Sequence, residues 1–242
     1  MDLSIIIPVY NEHTKIVRDI QAAVAFLQQQ NLTGEIIVVD DGSTDGTTDQ
    51  ARNTNPPDSV ICRVEHFEIN QGKGHAVRHG VLSSIGQAVL FMDSGHCIPL
   101  EAALLLLSEI RTGQCHIALG SRHHPDSHIT RDQTFYRKLC STAFRTLLKF
   151  MFPQLKPYHD TQCGFKLYHG PSARELFAES HLNGFMFDIE ILCLALQKGL
   201  IMREFPVTWA CDRDSRLSPS RSMVAVMKEL MSIKRMNRPT DL

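Results

Sequence analysis

The chain has 242 residues, 43% hydrophobic and 21% charged, with 25 Lys and Arg against 26 Asp and Glu. That length and composition suit one soluble α/β domain with a sizeable core, and the near-neutral balance excludes an overall field for nucleic acid. Seven scattered cysteines without a C-x-x-C pair point to a reduced, cytosolic compartment, and no apolar run approaches the roughly 20 residues that span a bilayer.

From the N-terminus, where a strand stands in place of a signal peptide, Leu3-Ser4-Ile5-Ile6-Ile7 reads as a buried strand. It breaks at Pro8 into Val9-Tyr10-Asn11-Glu12. After a helical stretch, Glu35-Ile36-Ile37-Val38-Val39 reads as a second strand, breaking into Asp40-Asp41-Gly42-Ser43-Thr44-Asp45-Gly46-Thr47. Such runs joined by a helix form a β-α-β unit, whose ligand sites lie where the strands end. Both strands therefore deliver carboxylate-bearing loops to one rim. A short helix is expected over 45–53, with Thr44 or Asp45 as N-cap, and Asn55-Pro56-Pro57-Asp58 closes it as a turn. A third strand over 60–64 leads to Asn70-Gln71-Gly72-Lys73-Gly74 and a helix to about Ser84. A fourth strand over 88–92 ends at Asp93; a helix over 100–112 and a fifth strand over 116–119 follow, ending in Gly120-Ser121-Arg122.

This alternation predicts a mostly parallel sheet with helices on both faces. The second half is less regular. A basic, aromatic amphipathic stretch over 131–152 precedes the loop Asp160-Thr161-Gln162-Cys163-Gly164 and a strand and turn over 165–171. An acidic-apolar helix over 187–198, a strand over 202–209, a charged loop from Asp212 to Arg216 and a helix over 222–236 complete the chain. With no repeat and no linker, one domain over 1–242 is expected.

Carboxylates beside Gly and Ser suit a nucleotide's base and ribose, because carboxylates accept from N–H and O–H groups and Gly admits close approach. Tyr10 can stack on a base, and Glu12 and Asp41 can accept from it or from sugar hydroxyls. Asp40, one residue nearer the strand, reads as a structural cap. Glycines bracketing Lys73 at a helix start bring backbone N–H groups and an ammonium towards a diphosphate, although the spacing is not a Walker motif. His123, His124 and His128 do not read as a zinc site, because Pro125-Asp126-Ser127 between them is a turn and not a rigid ligand frame.

Ile7-Pro8-Val9-Tyr10-Asn11-Glu12, the Asp40–Thr47 segment and Asn70-Gln71-Gly72-Lys73-Gly74 resemble the inverting family 2 glycosyltransferases of the GT-A fold. Gly120-Ser121-Arg122, Asp160-Thr161-Gln162-Cys163-Gly164-Phe165-Lys166, Phe187-Asp188-Ile189-Glu190 and Ser215-Arg216-Leu217-Ser218-Pro219 are similar to its dolichyl-phosphate glucosyltransferase and mannosyltransferase branch. The resemblance runs through almost the whole chain in order. It implies a Rossmann-like α/β domain that transfers a hexose, with inversion, from a nucleoside-diphosphate sugar to a polyprenyl phosphate. UDP-glucose is the preferred donor and GDP-mannose the alternative. On this resemblance 1–120 is the nucleotide-sugar half and 121–242 the acceptor half. Pro8, Tyr10, Glu12, Asp41, Gly72 and Lys73 then fall at the donor, and Asp93 faces its diphosphate. Arg122, Arg213 and the helical i, i+4 pair Arg137 and Ser141 meet the acceptor phosphate, with Asp160 on the acceptor side. A phosphate acceptor is already ionised at neutral pH, so the reaction needs cations that position two anions and no strong general base.

Members of that family usually carry Asp-x-Asp after the fourth strand, the second acid binding Mg²⁺ or Mn²⁺. Here the chain reads Asp93-Ser94-Gly95-His96, so Gly95 replaces the usual second acid and metal binding is expected to be weaker. His96 beside Asp93 would shift preference towards Mn²⁺. Phe144, Leu147, Leu148, Phe150, Met151 and Phe152, interleaved with Arg145 and Lys149, and residues 223–231 are the stretches available for membrane contact, with packing against the core the commoner use of either. The expected location is cytoplasmic, peripheral on the cytoplasmic face of a membrane. Two readings stay open beside this one: transfer to a soluble hydroxyl, which requires a base, and a catalytically weakened nucleotide-sugar-binding protein.

Overall fold

Continuous β-branched runs form the middle of a sheet because both of their faces are covered. In β1 (Leu3–Val9), Ile5 and Ile7 join the core on one face while Ile6 joins the core on the other. The computed structural model describes residues 1–131, 134–211 and 219–236. After β1 come α1 (Ile16–Gln29), β2 (Gly34–Asp40), α2 (Thr47–Arg52), β3 (Ile61–His66), α3 (Lys73–Ser83), β4 (Ala88–Met92) and α4 (Ala102–Arg111). The second half contributes β5 (Ile117–Ser121), β6 (His128–Arg131), α5 (Phe135–Met151), β7 (Phe165–His169) and α6 (Gly170–Glu179). It closes with α7 (Phe187–Gln197), β8 (Met202–Pro206), β9 (Thr208–Ala210) and α8 (Pro219–Met236).

Seven strands lie in the order β3-β2-β1-β4-β7-β5-β8, and β7 alone among them runs antiparallel to its neighbours. Residues of α1, α2 and α4 build the core on one face; residues of α3, α5, α6, α7 and α8 build it on the other. The expected mostly parallel sheet with helices on both faces is therefore present. The β4–β7 register sets Phe91 opposite Lys166 and Met92 opposite Phe165. It thereby brings Asp93, just past β4, to Gly164, just before β7, with the Asp93 N–H donating to the Gly164 carbonyl at 2.8 Å.

Several local expectations change. Gly170-Pro171 opens α6 instead of closing a turn, since a proline in the first turn of a helix gives up no intrahelical N–H bond. The single strand expected over 202–209 is two, β8 in the main sheet and β9 paired with the unforeseen β6 as a separate ribbon. Gly46 occupies the N-cap position of α2, although the Asp45 carboxylate still accepts the Thr47 N–H at 3.1 Å. Helix α5 divides between the two uses its sequence allows, core packing and an exposed apolar face. Leu148, Met151 and Phe152 are buried in the core, whereas Phe135, Tyr136, Leu139 and Phe150 are exposed and share one side of the helix by its 3.6-residue spacing.

Candidate active site

The ends of β1 and β2 are tied together. The Asn11 N–H donates to Ser43 Oγ at 2.7 Å, the Thr44 N–H to Asn11 Oδ1 at 2.8 Å and the Glu12 N–H to Thr47 Oγ1 at 2.8 Å. Tyr10 stands 44% exposed at this rim, and Glu12 pairs with Lys15 at 2.9 Å. Pro8 lies within β1, partnered with Val39 of β2. Asp40 is fully buried and accepts from the Ser43 N–H and the Thr48 hydroxyl, the structural use its position suggests.

Asp41 does something more specific than the sequence reveals. Its two carboxylate oxygens accept the N–H groups of Gln71 and Gly72, each at 2.8 Å, and its carbonyl accepts Asn70 Nδ2 at 3.1 Å. Asp41 thus clamps the Gly72-Lys73-Gly74 loop to β2, leaving one further lone pair on each oxygen for a ligand. Asp41→Ala removes the acceptor of two N–H groups, worth about 1–3 kcal/mol each where water cannot replace it. The expected result is a lowered melting temperature in thermal unfolding; an unchanged melting temperature would show that the clamp does not hold the loop.

Lys73 opens α3 and places its Nζ 2.6 Å from Asp93 Oδ1. Burial works against the ammonium, but the carboxylates of Asp93 and then Asp188 outweigh it and raise its pKa. Gly95 has φ +104, a conformation that side-chain-bearing residues rarely adopt, and donates its N–H to the buried Asp19 carboxylate of α1 at 2.7 Å. Ser94 Oγ donates to the same oxygen at 2.9 Å. Restoring an acid here by Gly95→Asp would therefore strain the turn as well as add a carboxylate. Burial raises the Asp19 pKa, opposed by these two bonds.

His96 follows with φ +50, and its Nδ1 is buried without a hydrogen-bond partner. Among the described residues no group of three His, Cys, Asp or Glu side chains could enclose a metal. The Asp93 carboxylate, paired with Lys73, is 40% exposed. That suits an ion such as Mg²⁺, which commonly binds through one or two carboxylates plus substrate phosphates, better than an all-protein cage.

A second ion pair joins Arg122 to Asp160. Arg122 Nε and Nη2 donate to the two oxygens of Asp160 at 2.7 and 2.8 Å, and the Arg122 N–H adds a third bond at 2.9 Å. The guanidinium also sits 5.5 Å above the Trp209 ring. Burial acts to raise the Asp160 carboxyl, yet the adjacent guanidinium overrides it and holds the carboxyl down at about 2. Glu204 fixes the loop by accepting the His159 and Asp160 N–H groups at 2.8 and 2.7 Å. Asp160 is thus an orienting partner of Arg122, and neither side-chain bond uses Nη1. The Asp93 carboxylate acts electrostatically on Arg122 as well, so the two pairs belong to one neighbourhood.

Asp41, Gly72, Lys73 and Asp93 form one linked group, Arg122 and Asp160 a second, and the two are coupled by the Asp93 charge acting on Arg122. Ser141 is half-buried on α5, which also carries Arg137 one turn earlier; the Arg137 side chain, Arg213 and Arg216 lie outside the described residues. Sequence reasoning missed Lys166 and Asp19 as parts of this region. Lys166 left a signal: a lysine inside the apolar run Phe165-Lys166-Leu167-Tyr168 has to be paired if that run is a central strand.

The model of the family described as "Glycosyl transferase family 2" matches residues 4–177. Dolichyl-phosphate beta-glucosyltransferase of Drosophila melanogaster is 35% identical, over 96% of this chain and 74% of that protein. The proteins of the same name from Saccharomyces cerevisiae and Homo sapiens are each 31% identical with the same coverage. Among solved structures, glucosyl-3-phosphoglycerate synthase from Mycobacterium tuberculosis in complex with Mn²⁺ and UDP-glucose superimposes with a TM-score of 0.74 at 21% identity, covering 98% of this chain and 80% of that one. Its complex with UDP gives 0.73, at 98% and 82% coverage. The α/β architecture, the strand-end motifs and this family match agree, and the chain belongs to glycosyl transferase family 2.

Proposed function

We propose that the protein transfers glucose, with inversion, from UDP-glucose to a dolichyl-type polyprenyl phosphate. Relatives that carry the dolichyl-phosphate glucosyltransferase name over nearly the whole of this chain support that choice of sugar and acceptor. The observation that carries the reading is the pair of cations, Lys73 and Arg122, each held by a carboxylate and both acted on by the Asp93 charge. Lys73 binds the donor's diphosphate, and Arg122 orients the acceptor phosphate beside it.

An acceptor phosphate oxygen attacks the anomeric carbon from the face opposite the diphosphate, forming a C–O bond as the bond to the leaving UDP breaks. No proton has to be removed from the nucleophile, so charge placement supplies the catalysis. Arg137 and Ser141 on α5, with Arg213, complete the acceptor site; Tyr10, Glu12 and Asp41 receive the nucleoside. Asp93 would hold a divalent ion together with diphosphate oxygens, and when bound that ion supplies positive charge to the departing UDP. An alcohol acceptor would need a base, whereas Asp160 and Asp188 are both buried in ion pairs.

The lipid reaches the site along α5, where Phe135 is 83% and Phe150 80% exposed beside Tyr136 and Leu139. Basic side chains on the same helix, Lys138 and Lys149, favour an anionic headgroup boundary. No helix of the described residues is long and apolar enough to cross a membrane, and the proposed placement is peripheral on the cytoplasmic face. In co-sedimentation with phosphatidylserine-containing vesicles, Phe135→Ser/Leu139→Ser is expected to lower the bound fraction severalfold. Equal sedimentation of variant and wild type would remove α5 as the contact.

The experiment that tests the function is a donor screen with water-soluble citronellyl phosphate, with and without Mg²⁺ or Mn²⁺. Glucose transfer from UDP-glucose exceeding mannose transfer from GDP-mannose is expected. Donor binding without transfer under every metal condition would leave a binding protein in its place.

A further inference from the structure

A second charge pair lies near Lys73 and Asp93, about the same Phe91 ring. Lys166 is fully buried in β7, with its Nζ 2.8 Å from Asp188 Oδ1 and donating to the Cys163 carbonyl at 2.5 Å. Asp188 is itself buried, in the first turn of α7. The Nζ atoms of Lys73 and Lys166 stand 5.3 and 5.8 Å from the centroid of the same ring, Phe91. Two ammoniums thus share one aromatic residue, each neutralised by its own carboxylate, and the Asp188 carboxylate acts on Lys73 as well.

Packing alone gives no reason for this arrangement. An apolar pair of similar volume would fill the space between β7 and α7 without the desolvation that two buried charges suffer. What the ions add is a field, and the cation in that field that reaches the surface is Lys73, 25% exposed, since Lys166 has no exposed surface. Nor is Asp188 placed to remove a proton from a substrate, because it is enclosed with Lys166 against it.

We propose that Asp188 and Lys166 are positioning residues for the donor's diphosphate. Asp188 holds the Lys73 ammonium at the inner wall of the cleft, and Lys166 holds Asp188. Lys73 then turns from Asp93 towards a diphosphate oxygen without leaving its place over Phe91, and Asp93 is released to face the leaving group. The three N–H donors of an ammonium allow that exchange without any movement of the helix start. The proposal rests on the reading that a nucleoside diphosphate sugar binds beside Asp93.

The test is binding of UDP-glucose to the whole chain by calorimetry, with uridine followed by ligand-observed NMR as the probe that lacks a diphosphate. Asp188→Asn is expected to weaken UDP-glucose about tenfold while leaving uridine unchanged. In a Lys73→Met background the same substitution should weaken UDP-glucose no further, because its effect travels through Lys73. Parallel losses for UDP-glucose and uridine, or an undiminished loss in the Lys73→Met background, would overturn the assignment.

If Asp188→Asn fails to fold with Lys166 left unpaired, Lys166→Met/Asp188→Leu removes both charges while keeping the volume. That variant is expected to fold and to show the same diphosphate-specific loss; wild-type affinity for UDP-glucose would overturn the proposal. Wild-type protein that bound no UDP-glucose would overturn the donor reading itself, whereas wild-type binding with indifferent variants would remove only the role of Asp188 and Lys166.

Discussion

Gly164→Ala is expected to lower kcat/KM for glucose transfer by about a hundredfold or more while the protein stays folded. A Cβ at that position would lie 1.9 Å from Asp93 Oδ2 and 2.1 Å from its Cγ. The colliding atoms are the end of a movable side chain, so the carboxylate swings aside and the sheet does not open. Asp93 then loses its 2.6 Å contact with Lys73, and the pair proposed to face the diphosphate comes apart. Steady-state kinetics beside thermal unfolding separates the effects: turnover preserved in a well-folded variant would show that the placement of Asp93 is not used.

The second large effect concerns Asp160. Removing one partner of a buried ion pair leaves the other charge without compensation, and Asp160→Ala is expected to lose about 3–5 kcal/mol of stability together with transfer. Arg122→Met/Asp160→Leu, which removes both charges, should recover much of the stability and none of the transfer. Recovery of transfer in that double variant would take the guanidinium out of the reaction.

The same pair predicts a pH dependence. Asp160 has its carboxyl held at about 2 in the folded protein, against an ordinary 3.8, so the folded state binds its proton less readily than the unfolded chain does. Its stabilisation is complete above the ordinary value and disappears as pH falls from there through about 2, a contribution on the order of 2 kcal/mol. Urea unfolding of wild type and Asp160→Ala between pH 6 and pH 2 should show the stability gap narrowing at the acid end. A gap that stayed constant would mean that the carboxylate charge is not what stabilises Arg122.

The first half of the fold was legible because buried parallel strands are spelled by continuous apolar runs, and β1, β2 and β4 each stop at a polar residue. β7 was legible as a strand but not as an antiparallel one, since a five-residue run carries no information about the direction of its neighbours. That direction decides the site, because it brings Gly164 to Asp93. Helix α6 was hidden by Gly170-Pro171, a dipeptide that suits a turn and a helix start equally well.

Residue types at the site were readable where charge met a strand end, at Asp41, Asp93 and Arg122. Their partners were not. The bonds from Asp41 to Gly72 and from Lys73 to Asp93 cross between loops that only the assembled sheet brings together, and Asp160 reaches Arg122 across 38 residues of chain.

The central claim, that one cleft brings a sugar diphosphate and a lipid phosphate together, is tested most directly by changing only the acceptor's charge. Purified protein is given labelled UDP-glucose and either dolichyl phosphate or dolichol in the same detergent, and the lipid product is isolated and its anomer determined. The account predicts a β-linked glucosyl phosphate from the phosphorylated lipid and no product from the alcohol. Equal glucosylation of both lipids, or an α-linked product, would contradict it.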